Sequence, residues 1–118
     1  MPRFVVLQHD HPEGLHWDFM LDQGDSLATW SLPMPPANEH VVAARSLADH
    51  RREYLEYEGS VSGDRGTVVR WDEGHFEWIE KGPDRVVVEI VGRKIAGRIC
   101  IEATGQAPDT FRWYLAPR

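Results

Sequence analysis

Short runs of alternating apolar and polar residues, each stopped by glycine, proline or aspartate, recur along the whole of this sequence. His75-Phe76-Glu77-Trp78-Ile79-Glu80 alternates with period two and stops at Lys81-Gly82-Pro83-Asp84. Arg85 to Val91 is β-branched and ends at Gly92-Arg93; Ile95 to Ile101 alternates again, and Phe111 to Leu115 follows. Gly66 to Trp71 reads as a strand ending in a turn at Asp72-Glu73-Gly74. In the first third, Phe4 to Gln8, His16 to Leu21 and Leu27 to Leu32 have the same character, with a hairpin turn at Asp22-Gln23-Gly24-Asp25. Period two places successive side chains on opposite faces of a sheet, and strands this short and evenly punctuated predict an all-β barrel or sandwich. Pro33-Met34-Pro35-Pro36 then forces an irregular loop, because proline cannot join a central ladder. Asn38 to Tyr57 alone is ambiguous: Asn38 could cap a helix carrying Ala43, Ala44, Leu47, Tyr54 and Leu55, or His40-Val41-Val42 could open a strand.

A chain of 118 residues fits one domain over 1–118, with room for a modest core. The first ten residues turn polar too soon for a signal peptide, and no apolar run is long enough for a membrane helix. One cysteine, Cys100, allows no internal disulfide, so the expected compartment is the cytoplasm. Cys100 itself reads as a small buried hydrophobe. A net charge of −6 argues against bulk electrostatic attraction to nucleic acid, though a local basic patch or a bound cation would invert the field where it sits.

The stretch Leu15-His16-Trp17-Asp18-Phe19-Met20-Leu21 carries the chemistry. As a strand it turns Trp17, Phe19 and Leu21 to one face and His16, Asp18 and Met20 to the other. His9-Asp10-His11 precedes it across a Pro12-Glu13-Gly14 turn, and folding back on that turn brings His9 near His16 and Asp18. Two imidazoles and a carboxylate can hold Mn²⁺, Zn²⁺ or Fe²⁺ with positions left open; three polar residues on a solvent face is the other reading. If a helical turn follows His50, then His50 and Tyr54 share a face and could contact a phosphate or donate a proton. Phosphate-binding glycine loops and a nucleophile elbow are absent from the sequence. His16-x-Asp18 with a distant histidine such as His75 would also suit a non-haem iron oxygenase.

Taken in order, Phe4-Val5-Val6-Leu7-Gln8-His9-Asp10, the 15–21 stretch, "LATWSLP", "DHRREYLEYEG", "GTVVRWDEG" and "VEIVGRKIAGRICIE" resemble the 3′-phosphoesterase domain of bacterial DNA ligase D from about Phe4 to about Leu115. The resemblance implies a compact antiparallel β-barrel with the site on its concave outer face. It also implies Mn²⁺-dependent trimming of 3′ ends (Zn²⁺ or Co²⁺ being alternatives), in which a terminal ribonucleoside and then the 3′-phosphate are removed. It further implies DNA or RNA–DNA 3′ ends as partners, together with ligase or end-joining repair proteins, for a monomer. By position, His9, His16 and Asp18 match the family's metal ligands, His50 its phosphate-contacting histidine and Tyr54 its active-site tyrosine. The resemblance also makes Val41 to Leu47 extended, with a short helical turn after His50.

Three positions depart from the family's pattern. Met20 stands where the family has an arginine, Ala48 where it has an acid, and Val42 where it has a second arginine. A guanidinium offers phosphate two charge-assisted hydrogen bonds at once, and methionine offers none. Arg45, Arg51, Arg52 and Arg65 are the candidate replacements. The departures motivate an alternative function, a metal-binding module that holds DNA ends or a repair partner without turnover.

Overall fold

The computed structural model describes residues 1–36 and 41–117. Among these residues, nine strands account for most of the chain: β1 (Arg3–His11), β2 (Gly14–Asp22), β3 (Leu27–Leu32), β4 (Val42–His50), β5 (Gly59–Ser60), β6 (Thr67–Lys81), β7 (Arg85–Gly92), β8 (Ala96–Ala103) and β9 (Thr110–Leu115). A 3-10 turn, Arg52–Leu55, follows β4. The ambiguous segment is therefore extended up to His50, with the short helical turn just after it. The Asn38 cap and the start at His40 lie outside the described residues. Every pairing is antiparallel, in the order β1-β2-β3-β4-β9-β8-β7-β6-β5, and β1 also pairs with β6. Eight strands thus close into a ring, with the short β5 paired outside it to β6. Among the described residues, no helix is long and apolar enough to cross a membrane.

Alternation explains where the core sits. Phe4 and Val6 of β1, with Trp17, Phe19 and Leu21 of β2, turn into the ring and meet Trp30, Phe76, Ile99, Ile101 and Trp113. The intervening residues turn outward, yet they are buried too. Val5, Leu7, Met20 and Leu27 form a second apolar cluster, roofed by Leu55 and Val61, with Val68 at its side. That outer cluster exists because the chain from 51 to 66 folds back over the sheet. Burying a side chain the size of Met20 or Leu55 is worth about 1.5–3 kcal/mol, which holds the short, weakly structured roof in place. Gly66 pins the roof at its far end. Its φ is +83°, and a Cβ there would lie 1.8 Å from the carbonyl oxygen of Asp10. Only glycine allows the roof to meet β1 so closely. Cys100 is buried, as expected.

The structure corrects one sequence boundary. Asp72-Glu73-Gly74 is not a turn; β6 runs unbroken through it, for 15 residues. Against β1 the register slips at Trp71, where Val6 faces Asp72 and Leu7 faces Arg70, and against β7 it slips again between Trp78 and Glu80. The bulge at Trp71 lets one long strand pair with β1 in its first part and with β7 in its second. Aspartate is tolerated mid-strand because its carboxylate is occupied by backbone amides from the β7–β8 turn.

Arg52 ties the 3-10 turn to the end of β2. Its Nε donates to Asp22 Oδ1 at 3.0 Å and its Nη2 to Oδ2 at 2.9 Å. These bonds, chiefly, hold the Asp22 carboxyl below its ordinary range. A depressed native pKa contributes stability above the unfolded value, and that contribution fades as pH falls through the native one. Arg52→Leu is therefore expected to lower the melting temperature at pH 7. The gap to wild type should narrow as the pH is taken below about 4, as followed by circular dichroism melts. A gap that stays constant across that range would contradict the pairing.

Candidate metal centre and phosphate cleft

Register places the candidate ligands side by side. His9 pairs with His16 and Leu7 with Asp18 across β1–β2, so all three polar side chains share the outer face. The rings of His9 and His16 stand 4.6 Å apart, and one ligand atom from each of His9, His16 and Asp18 falls within 4.8 Å of the others. His75, by contrast, pairs with Arg3 at the opposite end of β1 and is remote from this group.

The outer nitrogens of both rings are committed elsewhere. His9 Nε2 lies 2.7 Å from the carbonyl oxygen of Arg65, and His16 Nδ1 lies 3.3 Å from that of Gly14. A carbonyl only accepts, so each of these nitrogens carries the proton. In the neutral rings, His9 Nδ1 and His16 Nε2 are then bare lone pairs. They sit 3.4 Å from Asp18 Oδ2 and 3.2 Å from Asp18 Oδ1, respectively. Asp18 is 2% exposed, and its Oδ1 has no hydrogen-bond donor. Three acceptors thus converge on one point, with backbone carbonyls fixing the tautomers from behind. Metal-binding histidines are supported in this way. The arrangement fits a divalent cation through His9 Nδ1, His16 Nε2 and the Asp18 carboxylate. The local electrostatics agree. Burial pushes the Asp18 carboxyl up, but His16 and His9 outweigh it and hold the pKa below its ordinary value. Contact with Asp18 raises the pKa of His16 despite the opposing effect of burial.

His50 and Tyr54 stand across a cleft of about 270 Å³ from the triad, with His9, Asp18, Met20, Arg51 and Arg65 among its walls. Their rings meet edge to face, with centroids 5.7 Å apart. His50 Nδ1 donates to the carbonyl of Ala48 at 2.9 Å, which leaves Nε2 for a ligand. Position 48 therefore orients His50 through its backbone, although its side chain cannot accept a hydrogen bond.

The departures from the family's pattern have distinct structural outcomes. Met20 is 1% exposed and belongs to the outer apolar cluster beneath the cleft. Val42 faces into the ring. The register between β3 and β4 slips between Leu27 and Thr29, so Leu27 faces His50 while Ser31 faces Arg45. Since Ser31 also pairs with Asp18, Arg45 and not Val42 stands in Asp18's cross-strand row. A space of about 330 Å³ over the triad is lined by Arg45, Arg65, Ser31, His11 and His50 as well as the three ligands.

The other candidate arginines are held differently. Arg45 Nε is 3.4 Å from Asp109, Arg51 Nε is 3.1 Å from Glu53, and Arg52 is taken up by Asp22. Sequence reasoning gave His11 no role, yet its ring lies 5.3 Å from that of His9 and 6.1 Å from that of His16. Its spacing of two from His9 was the available signal.

The sequence matches a family of known proteins. The family described as "DNA Ligase D 3'-phosphoesterase domain" matches residues 7–103. The multifunctional non-homologous end joining protein LigD of Pseudomonas aeruginosa is 30% identical over 125 residues, covering 96% of this chain and 14% of that protein. LigD of Mycobacterium bovis is 32% identical over 111 residues, covering 86% of this chain and 14% of the relative. LigD of Mycobacterium tuberculosis gives the same identity and coverage. The chain thus spans about 14% of the length of these relatives. It belongs to the DNA ligase D 3′-phosphoesterase domain family.

Proposed function

We propose that this protein is a metal-dependent phosphoesterase that processes 3′-phosphate and 3′-ribonucleotide ends of nucleic acid in DNA repair. The observation that carries this reading is the convergence of His9 Nδ1, His16 Nε2 and the buried, donorless Asp18 Oδ1, with the outer ring nitrogens tied to carbonyls. Mn²⁺ is the proposed ion, and it would supply Lewis-acid polarisation of the phosphoryl group and activation of water. The chain's own residues do the rest. His9, His16 and Asp18 hold their acceptor atoms ready, so little reorganisation accompanies loading. His50, oriented by the Ala48 carbonyl, would act as an imidazolium, whose Nε2–H donates to a non-bridging oxygen or passes its proton to the leaving oxygen. Tyr54 packs against the outer apolar cluster, which fixes its ring where the hydroxyl can bind a phosphoryl oxygen.

The direct test is incubation of a primer-template ending in a 3′-phosphate with the protein and Mn²⁺. The expected result is a 3′-hydroxyl end, formed only when the metal is present. Tight, metal-dependent binding of the same end without product would instead support the second reading, a non-catalytic end-binding module. The buried Met20 favours that reading, because it removes a cation from the cleft floor.

A further inference from the structure

Met20 leaves the floor of the cleft apolar, and the roof that seals Met20 carries a cation of its own. We infer that Arg65 is the phosphate-binding cation of this protein, presented from the 61–66 hairpin where the family's pattern puts an arginine on β2. The inference rests on the phosphoesterase reading above. Arg65 lines both the cleft between the triad and His50 and the space directly over the triad. Its guanidinium is held at the base: Nε donates to the Ser62 carbonyl at 2.7 Å and Nη2 to Ser62 Oγ at 3.1 Å. Both partners are neutral, so among the described residues the positive charge is uncompensated there, whereas Arg45, Arg51 and Arg52 each face a carboxylate. A guanidinium has five N–H donors, and these two bonds leave the others for a ligand.

The hairpin is built to stay in place. Val61 donates its N–H to the Gly66 carbonyl at 2.8 Å, and the Val61 side chain is buried beside Met20. Asp64 adopts a positive φ of 57°, and Gly66 is pressed against the backbone of Asp10. The same methionine that removes an arginine from β2 therefore anchors the loop that returns one. Arg65 also acts through its backbone, since its carbonyl fixes the proton on His9 Nε2. The two roles separate cleanly, because a side-chain substitution leaves the carbonyl where it is.

The experiment compares wild type with Arg65→Met and Arg65→Lys as full chains. It measures Mn²⁺ affinity by calorimetry, KM and kcat on a 3′-phosphate primer-template, and competitive inhibition by inorganic sulfate. Arg65 is exposed, so both variants are expected to fold and to bind Mn²⁺ within about twofold of wild type. Arg65→Met should weaken sulfate inhibition and raise KM by about tenfold to a hundredfold, the usual range for a lost charged hydrogen bond. Arg65→Lys, which keeps the charge without the fork, should fall between. Unchanged KM and sulfate inhibition in Arg65→Met would overturn the inference while leaving the phosphoesterase reading intact. So would a loss confined to Mn²⁺ affinity. Failure of wild type itself to release phosphate would overturn that reading, and the inference with it.

Discussion

Asp18→Asn is expected to abolish Mn²⁺-dependent release of 3′-phosphate while leaving the protein folded. The amide keeps the shape of the carboxylate but removes its charge, and it replaces one of the two oxygens that face the imidazoles with an N–H₂, which donates and cannot ligate a cation. Loss of a metal-held transition-state interaction of several kcal/mol corresponds to a fall in kcat of about three decades or more. Stability should fall along with activity. In the metal-free protein burial opposes the Asp18 charge, but His16 and His9 outweigh it and hold the carboxyl below its ordinary range, so the carboxylate contributes stability above its unfolded pKa that the neutral amide gives up. The melting temperature of the metal-free variant at pH 7 should therefore lie below that of wild type. Added Mn²⁺ should raise the wild-type value by mass action and leave the variant's unmoved. Melting curves with and without Mn²⁺, alongside the 3′-phosphate assay, measure both effects. A variant that still gains stability from Mn²⁺ would remove Asp18 from the ligand set.

The outward face of β2 was legible because period two is a local property. His16, Asp18 and Met20 alternate with Trp17, Phe19 and Leu21, and the ring core claims the second set. The hairpin at Pro12-Glu13-Gly14 then placed His9 opposite His16 with no further information. What the sequence could not show are features made by backbone atoms. The carbonyls of Gly14 and Arg65 set the two tautomers, yet a carbonyl leaves no mark in residue type. Likewise, the resemblance put Val42 at the position of the family's second arginine. The register slip against β3 reverses the face, so Arg45 stands in the row of Asp18 instead. A bulge has no strong signature in one sequence, and every residue beyond it changes sides. The roof over Met20 was hidden for a related reason. Leu55, Val61 and Val68 show no common period, since they come from a 3-10 turn, a loop and a strand.

Asp72→Ala is expected to cost more stability than any surface substitution, although Asp72 is remote from the chemistry. Aspartate followed by glutamate and glycine looked like the end of a strand, and the structure gives it a different task. Its carboxylate accepts from the N–H of Glu73 and Arg93, each at 2.8 Å, from Lys94 at 3.2 Å and from Ile95 at 3.0 Å. It thereby holds the β7–β8 turn against β6, just beyond the bulge at Trp71 that joins β6 to both β1 and β7. The turn comes so close that a Cβ on Gly92 would lie 2.6 Å from Asp72 Oδ2 and 2.7 Å from Phe4. Asp72 is 2% exposed, so alanine leaves these amides facing a gap too confined for water to replace every bond. Net values of about 1.5–3 kcal/mol for bonds to a charged acceptor, which are not additive in one cluster, suggest a loss of about 3–5 kcal/mol. That is a large fraction of the roughly 5–15 kcal/mol typical of a domain, and a fall in melting temperature of roughly 10–20 °C. Asp72→Asn should lose less, because its carbonyl can replace Oδ1 toward Glu73, Arg93 and Lys94 while its amide group meets the Ile95 N–H as donor against donor. Urea denaturation of the two variants gives the ordering. Because β1 closes the ring against β6 and also carries His9, a weakened Asp72 should loosen Mn²⁺ affinity near the melting temperature. At low temperature, where the ring is intact, the affinity should be that of wild type. Equal stability of Asp72→Ala and wild type would show that the four amides find other partners.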